Sequence, residues 1–184
     1  MTIPMKTLKV LGLIGLLAIL RGVGAGTFFF GGFFNVAANN PDPGIVDWTL
    51  IQVRKASIAR HATDRPPASL DDPALVRAGA LAYTQSGCVN CHGGPGVKPA
   101  TFSEGLNPPP NLKKVVNDLL PQELFWVIKN GIKMTGMPSF DAEDPPVPDR
   151  EIWNMVAFLK KLSSVSDEDF KAWSTAPPAA AATR

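Results

Sequence analysis

Residues 10–38 are apolar or small, broken only by Arg21, Thr27 and Asn35. A helix needs about 20 such residues to cross the hydrocarbon core of a bilayer, and this run exceeds that. Residues 10–20 have the length of a signal-peptide core, and Gly24-Ala25-Gly26 has the small residues of a cleavage region. Cleavage there would leave Phe28, Phe29, Phe30, Phe33 and Phe34 at a water-exposed terminus, so the pattern favours a retained anchor over residues 1–38. Arg21 at the bilayer centre would cost roughly 2.5–3.5 kcal/mol. A shifted span, snorkelling or a polar partner in another subunit would reduce that cost. Lys6 and Lys9 precede the span with no acid beside them, which puts the amino terminus in the cytoplasm and everything from about Asn39 outside.

Beyond the span the apolar positions recur at helical rather than alternating spacing, so strands should be few. Residues 39–70 form a second segment. After the turn Asn39-Asn40-Pro41-Asp42-Pro43-Gly44, Ile45, Trp48, Ile51 and Ile58 predict a helix over residues 45–61. Trp48 suits a membrane interface, where tryptophan is enriched. Asp64-Arg65-Pro66-Pro67 then ends the helix as a linker. A third segment covers residues 71–165. Asp72 is a good N-cap with Pro73 at the first helical position, and Val76, Ala80 and Tyr83 share one face before Gly87 ends the turn. A short helix over residues 119–130, with Leu120, Leu124, Val127 and Ile128 inward, stops at Gly131. A last helix over residues 150–162 is capped by Asp149. Its Trp153 and Phe158 should pack on the earlier helix near Gly79, and Met155 is core. Residues 166–184 read as a mobile tail.

Composition narrows the partners more than the fold. A formal charge of +2 gives no electrostatic case for binding nucleic acid, and 18 prolines imply many loops and short helices. Both cysteines of the chain lie in Gly87-Cys88-Val89-Asn90-Cys91-His92. C-x-x-C-H reads as a c-type haem attachment site: each thiol bonds a vinyl group, and the adjacent histidine becomes the proximal iron ligand. Three other readings are weaker. A thioredoxin-like pair needs strand–helix alternation, which is absent from the pattern. A closed zinc site wants four ligands, and only His61 and His92 are left to complete it. A disulfide across two residues closes too short a loop to stabilise much. His61 itself reads as a surface or interface histidine.

Gly93-Gly94-Pro95-Gly96 lets backbone pass close to a flat porphyrin, and a carbonyl there is the expected acceptor for the His92 ring N–H. Asn107-Pro108-Pro109-Pro110-Asn111 is either a wall along one haem edge or a stiff connector. A second axial ligand closes the iron to substrates, and methionine sulfur is the usual one. Met137, between Gly136 and Pro138, suits that role better than Met134 three residues earlier.

Four stretches together, Gly79-x-x-x-Tyr83, Cys88-Val89-Asn90-Cys91-His92-Gly93, Thr135-Gly136-Met137-Pro138 and Glu151-Ile152-Trp153, resemble a single-haem class I cytochrome c domain. More narrowly they resemble those of the haem-carrying subunit of bacterial haem–copper oxidases. The resemblance covers about residues 72–162. It implies an all-α cytochrome c fold, three to five short helices around one haem, preceded here by the transmembrane helix. Cys88 and Cys91 would bind one haem c covalently, with His92 proximal and Met137 distal. It further implies a non-enzymatic electron carrier or electron-transfer subunit in a bacterial inner membrane, facing the periplasm. Its partners would be redox proteins of respiratory complexes. Lys113, Lys114, Lys129 and Lys133 are candidates to steer an acidic partner, against the nearby Asp141, Glu143 and Asp144. The alternative is a haem-based gas or redox sensor with a displaceable Met137; a peroxidase lacks an evident distal acid–base group.

Overall fold

The computed structural model describes residues 4–37, 40–67, 69–105 and 109–175. Asn39 of the first turn, Asn107 and Pro108 of the proline run and residues 176–184 of the tail lie outside them. The chain divides into two units, Met1–Pro41 and Asp42–Arg184.

The first unit is one helix, α1 (Met5–Phe30), followed by a short turn. At 1.5 Å per residue it is about 39 Å long, enough for a hydrocarbon core of about 30 Å. By length and composition it can cross a membrane, and none of its residues is buried within the chain. The helix ends at Gly31-Gly32, where Gly32 takes a left-handed φ of 80° and Phe28, Phe29 and Phe34 pack ring against ring.

The second unit is all helical among its described residues: α2 (Gly44–His61), α3 (Pro73–Gln85), α4 (Cys88–His92), α5 (Leu112–Val115), α6 (Pro121–Asn130), α7 (Asp149–Lys161) and α8 (Asp167–Thr175). Its core is the crossing of α3 and α7. Gly79 lies where a side chain would strike the Asn154 carbonyl and the Phe158 Cβ, so the missing Cβ is what lets the two backbones touch. Phe158 is in the expected place. Trp153 is not: it stacks on Phe125 of α6, with ring centroids 4.2 Å apart and planes 14° off parallel. In α7, Ile152, Trp153, Met155, Val156, Ala157, Phe158 and Leu159 are all buried, because α3 and α6 pack against it and Phe170 of α8 stacks on Phe158.

Four expectations need correcting. Leu120 is exposed at the N-cap of α6; the inward positions are Leu124, Phe125 and Ile128. Pro148 holds the N-cap position of α7, and Asp149 instead accepts from Lys129 Nζ at 2.7 Å. Residues 45–61 are not a detached segment, since Ile58 and Ala62 are buried and α2 packs on α6. His61 is an interface histidine there, stacked on Trp126 with its Nδ1 2.8 Å from the Ser57 carbonyl. Finally, α8 stands where a tail is expected from residue 166. Ser166 Oγ accepts from the Asp169 N–H at 3.0 Å, starting the helix, and Phe170 anchors it in the core.

Candidate functional site

Asp72 accepts from the Ala74 N–H at 2.8 Å and Pro73 opens α3, so the helix starts as its sequence dictates. It ends at Ser86. Gly87 takes a φ of 73°, reversing the chain so that a new helical turn begins at Cys88. Cys88, Cys91 and His92 therefore all lie on α4, with both thiols free of disulfide.

The backbone after His92 is held on two sides. Tyr83 donates its hydroxyl to the Gly93 carbonyl at 2.8 Å, in a buried contact. Gly93 has a φ of 66°, and an added Cβ would meet the Val97 carbonyl at 2.6 Å. Gly94 faces the Phe170 ring, where a Cβ would come within 2.7 Å. Phe170 in turn stacks on Phe158 at 5.6 Å and meets Tyr83 edge-on at 6.5 Å. The glycine run thus passes close to protein, from α3 and α8.

The acceptor for His92 is not in residues 93–96. Its Nδ1 lies 3.3 Å from the Pro110 carbonyl, so the proline run does more than connect. That carbonyl selects the tautomer with a proton on Nδ1 and leaves the Nε2 lone pair for a metal. Burial holds the His92 pKa below its usual value, against the opposing pull of the Pro110 carbonyl, which also favours a neutral ligand nitrogen.

A cleft of about 310 Å³ opens beside this imidazole, with Cys91, His92, Gly93, Pro99, Pro110 and Leu112 among its walls. Lys113 also borders it. Lys129 is committed to Asp149, with Asp141 4.0 Å away, so it does not share that role. The cleft brings Cys91 and His92 together. Cys88 and Met137 reach the protein elsewhere, both packed against the main core.

The methionine loop folds back on its own start. Gly131, at φ 66°, has the Met137 and Pro138 carbonyls so close that a Cβ would sit within 2.8 Å of both. The Met137 N–H donates to Thr135 Oγ1 at 3.1 Å, and Thr135 Oγ1 donates to the Ile132 carbonyl at 2.8 Å. Met137 is partly buried, whereas Met134 is 95% exposed.

These residues fit a covalently held haem better than the rivals. Among the described residues no group of three or more His, Cys, Asp or Glu side chains could hold a metal ion, against zinc. Burial, then the nearby Cys91 and Glu143, pushes the Cys88 thiol up to about 12, against thiolate redox chemistry. An imidazole with its Nδ1 tied to a carbonyl, next to two unpaired thiols and an open cleft with mixed apolar and polar walls, suits thioether attachment.

Tyr83, Pro110 and Phe170 complete the frame. The sequence marks Tyr83 as a core position and as part of Gly79-x-x-x-Tyr83, and Pro110 as part of a wall or connector, but not the hydrogen bonds they make, because partners 10 and 18 residues apart leave no local trace. Phe170 carries no sequence signal at all. Phe170→Ala should cost about 3–5 kcal/mol, as for other buried phenylalanines, since three partners lose their packing together. Denaturant titration of the full chain checks this, and a cost below 1 kcal/mol would mean that α8 is dispensable.

Residues 74–159 match the family model described as cytochrome C oxidase, cbb3-type, subunit III. No curated protein and no solved structure matches the chain. The matched segment runs from the first turn of α3 to Leu159 in α7, and so contains the attachment run, the proline run and the methionine loop but not α8. The match supports a single-haem cytochrome c domain of the cbb3 oxidase type over residues 74–159.

Proposed function

We propose that this chain is a membrane-anchored cytochrome that passes single electrons through one covalently bound haem. Cys88 and Cys91 form the thioethers, His92 is the proximal ligand and Met137 the distal one. The observation that carries the proposal is His92, in C-x-x-C-H, with its Nδ1 held by the Pro110 carbonyl. The haem supplies a one-electron iron couple. The protein's part is to hold the ligands still: Tyr83 and Phe170 fix the backbone beyond His92, and the closed loop from Gly131 to Pro138 fixes Met137. With both axial positions filled no substrate need bind, so the chain acts as a carrier or electron-transfer subunit rather than an enzyme. Helix α1 keeps the domain at the periplasmic face of a bacterial inner membrane, close to the redox partners of a respiratory chain, and raises their effective concentration.

The purified chain should show a low-spin ferric spectrum with the weak sulfur-to-iron charge-transfer band, and should bind CO slowly. A high-spin ferric spectrum with rapid CO binding would instead identify a sensor with an open or displaceable Met137. Copurification in mild detergent names the partner complex.

A further inference from the structure

Helix α2 has two unlike sides. Ile58 and the following Ala62 are buried, with Ile51 partly so one turn and more earlier, and His61 stacks on Trp126 at the same end. Around the rest of the first half, Ile45 is 70%, Trp48 59% and Val53 61% exposed, with Leu50 exposed as well. At 3.6 residues per turn, Ile45 and Val53 lie on the arc turned away from Ile51 and Ile58, with Trp48 at its edge, about 60° from Ile51. Such a surface on a short helix is a site for something apolar.

Basic residues flank it. Arg54, Lys55 and Arg60 are exposed along the second half, against Asp47 as the only acid on the helix. Residues 31–43 join the end of α1 to the start of α2. Fully extended, at about 3.3–3.6 Å per residue, they reach no further than roughly 45 Å. On the reading that α1 spans the membrane, which this inference requires, the linker is long enough for α2 to reach the outer lipid surface.

We infer that the first half of α2 docks on the anionic bilayer surface. Ile45, Trp48 and Val53 enter the headgroup–acyl boundary, and Lys55 and Arg60, which border that arc, meet lipid phosphates. A lipid surface suits this arc better than a protein groove, because Lys55 and Arg60 are exposed at its edges, where lipid phosphates lie. Because its other end is fastened to α6, α2 docked in this way fixes the tilt of the whole cytochrome domain over the membrane. Electron transfer to membrane partners then starts from a restricted set of orientations.

The test uses the full-length, haem-loaded chain in phosphatidylcholine vesicles containing phosphatidylglycerol. Once Cys88 and Cys91 are bonded to haem, Val53→Cys and, as a control on α8, Lys171→Cys each offer a single thiol for a nitroxide label. Accessibility to oxygen and to a water-soluble nickel chelate is read in the ferrous state. Docking predicts an oxygen-to-nickel ratio several-fold higher at 53 than at 171, falling when phosphatidylglycerol is left out or when Lys55→Gln and Arg60→Gln are combined. Equal ratios at the two positions overturn it. So does exclusion of both reagents from position 53, which would place a protein partner or a second copy there. Carbonate extraction separates the two readings: a chain released from the membrane defeats the anchor and the docking together, whereas a retained chain with a water-exposed position 53 defeats the docking alone.

Discussion

Met137→Ala should lower the reduction potential by on the order of 0.2 V, within the roughly 0.8 V that axial ligands span. Loss of a thioether removes a ligand that favours the reduced iron, and water or hydroxide in its place favours the oxidised form. Met134→Ala should leave the potential within a few tens of millivolts, on the order of the effect of any surface change well away from the iron. The two residues are three apart in one loop, but their surroundings differ. Met134 has its side chain in solvent at 95% exposure, and its backbone takes a φ of 60°. Met137 is packed against the core, with its N–H on Thr135 and its carbonyl against Gly131. A ligand must stay in place through both oxidation states, and of the two Met137 has the contacts that suit the proposed role. Potentiometric titration, with the sulfur-to-iron band as a second readout, decides the matter. If Met134→Ala takes away the band and the potential while Met137→Ala spares them, the assignment is reversed. Met137→His should keep a low-spin spectrum yet still lower the potential, which separates loss of sulfur from loss of coordination.

What could be read in the chain divides along sequence distance. The start of α3 is legible because Asp72 and Pro73 act on the next turn, and Ala74 donates to Asp72 as that chemistry requires. The α3–α7 contact is legible because a glycine at position 79 on an otherwise apolar face marks a close approach. The acceptor for His92 is not. Glycines at 93–96 make the nearer carbonyls attractive, but Gly93 and Gly94 already have their surroundings filled by Val97, Pro99 and Phe170. The ring turns instead to Pro110, whose nitrogen has no hydrogen to give but whose carbonyl remains a full acceptor. Helix α8 was missed because its few apolar residues are too sparse to make a stripe. Phe170 is useful only once Tyr83 and Phe158 have been brought beside it. Asp149 shows a local rule losing to a tertiary one: it stands where a cap belongs, but Lys129 offers it a 2.7 Å partner and Pro148 fills the cap position.

Gly79→Ala should destabilise the second unit by about 3 kcal/mol, at the upper end of the range for overpacked cores. Two terms oppose each other. Alanine is the better helix former by up to about 1 kcal/mol, which alone would stabilise α3. Against it, the new methyl would overlap the carbonyl of Asn154 and come within 2.9 Å of the Phe158 Cβ. Neither atom is the free end of a side chain, so no rotamer change makes room and α3 must move away from α7. For a domain of this size the midpoint temperature should fall by roughly 10 °C. Gly105→Ala, with nothing among the described residues within 4 Å of the added carbon, should change stability by less than about 0.5 kcal/mol. The consequence reaches the site, because α3 ends three residues before Cys88 and carries the Tyr83 that holds Gly93. A displaced α3 therefore moves both ends of the attachment run, and the yield of covalently loaded protein should fall along with stability. If Gly79→Ala loads and melts like the parent chain, α3 and α7 do not meet as closely as the structure has them.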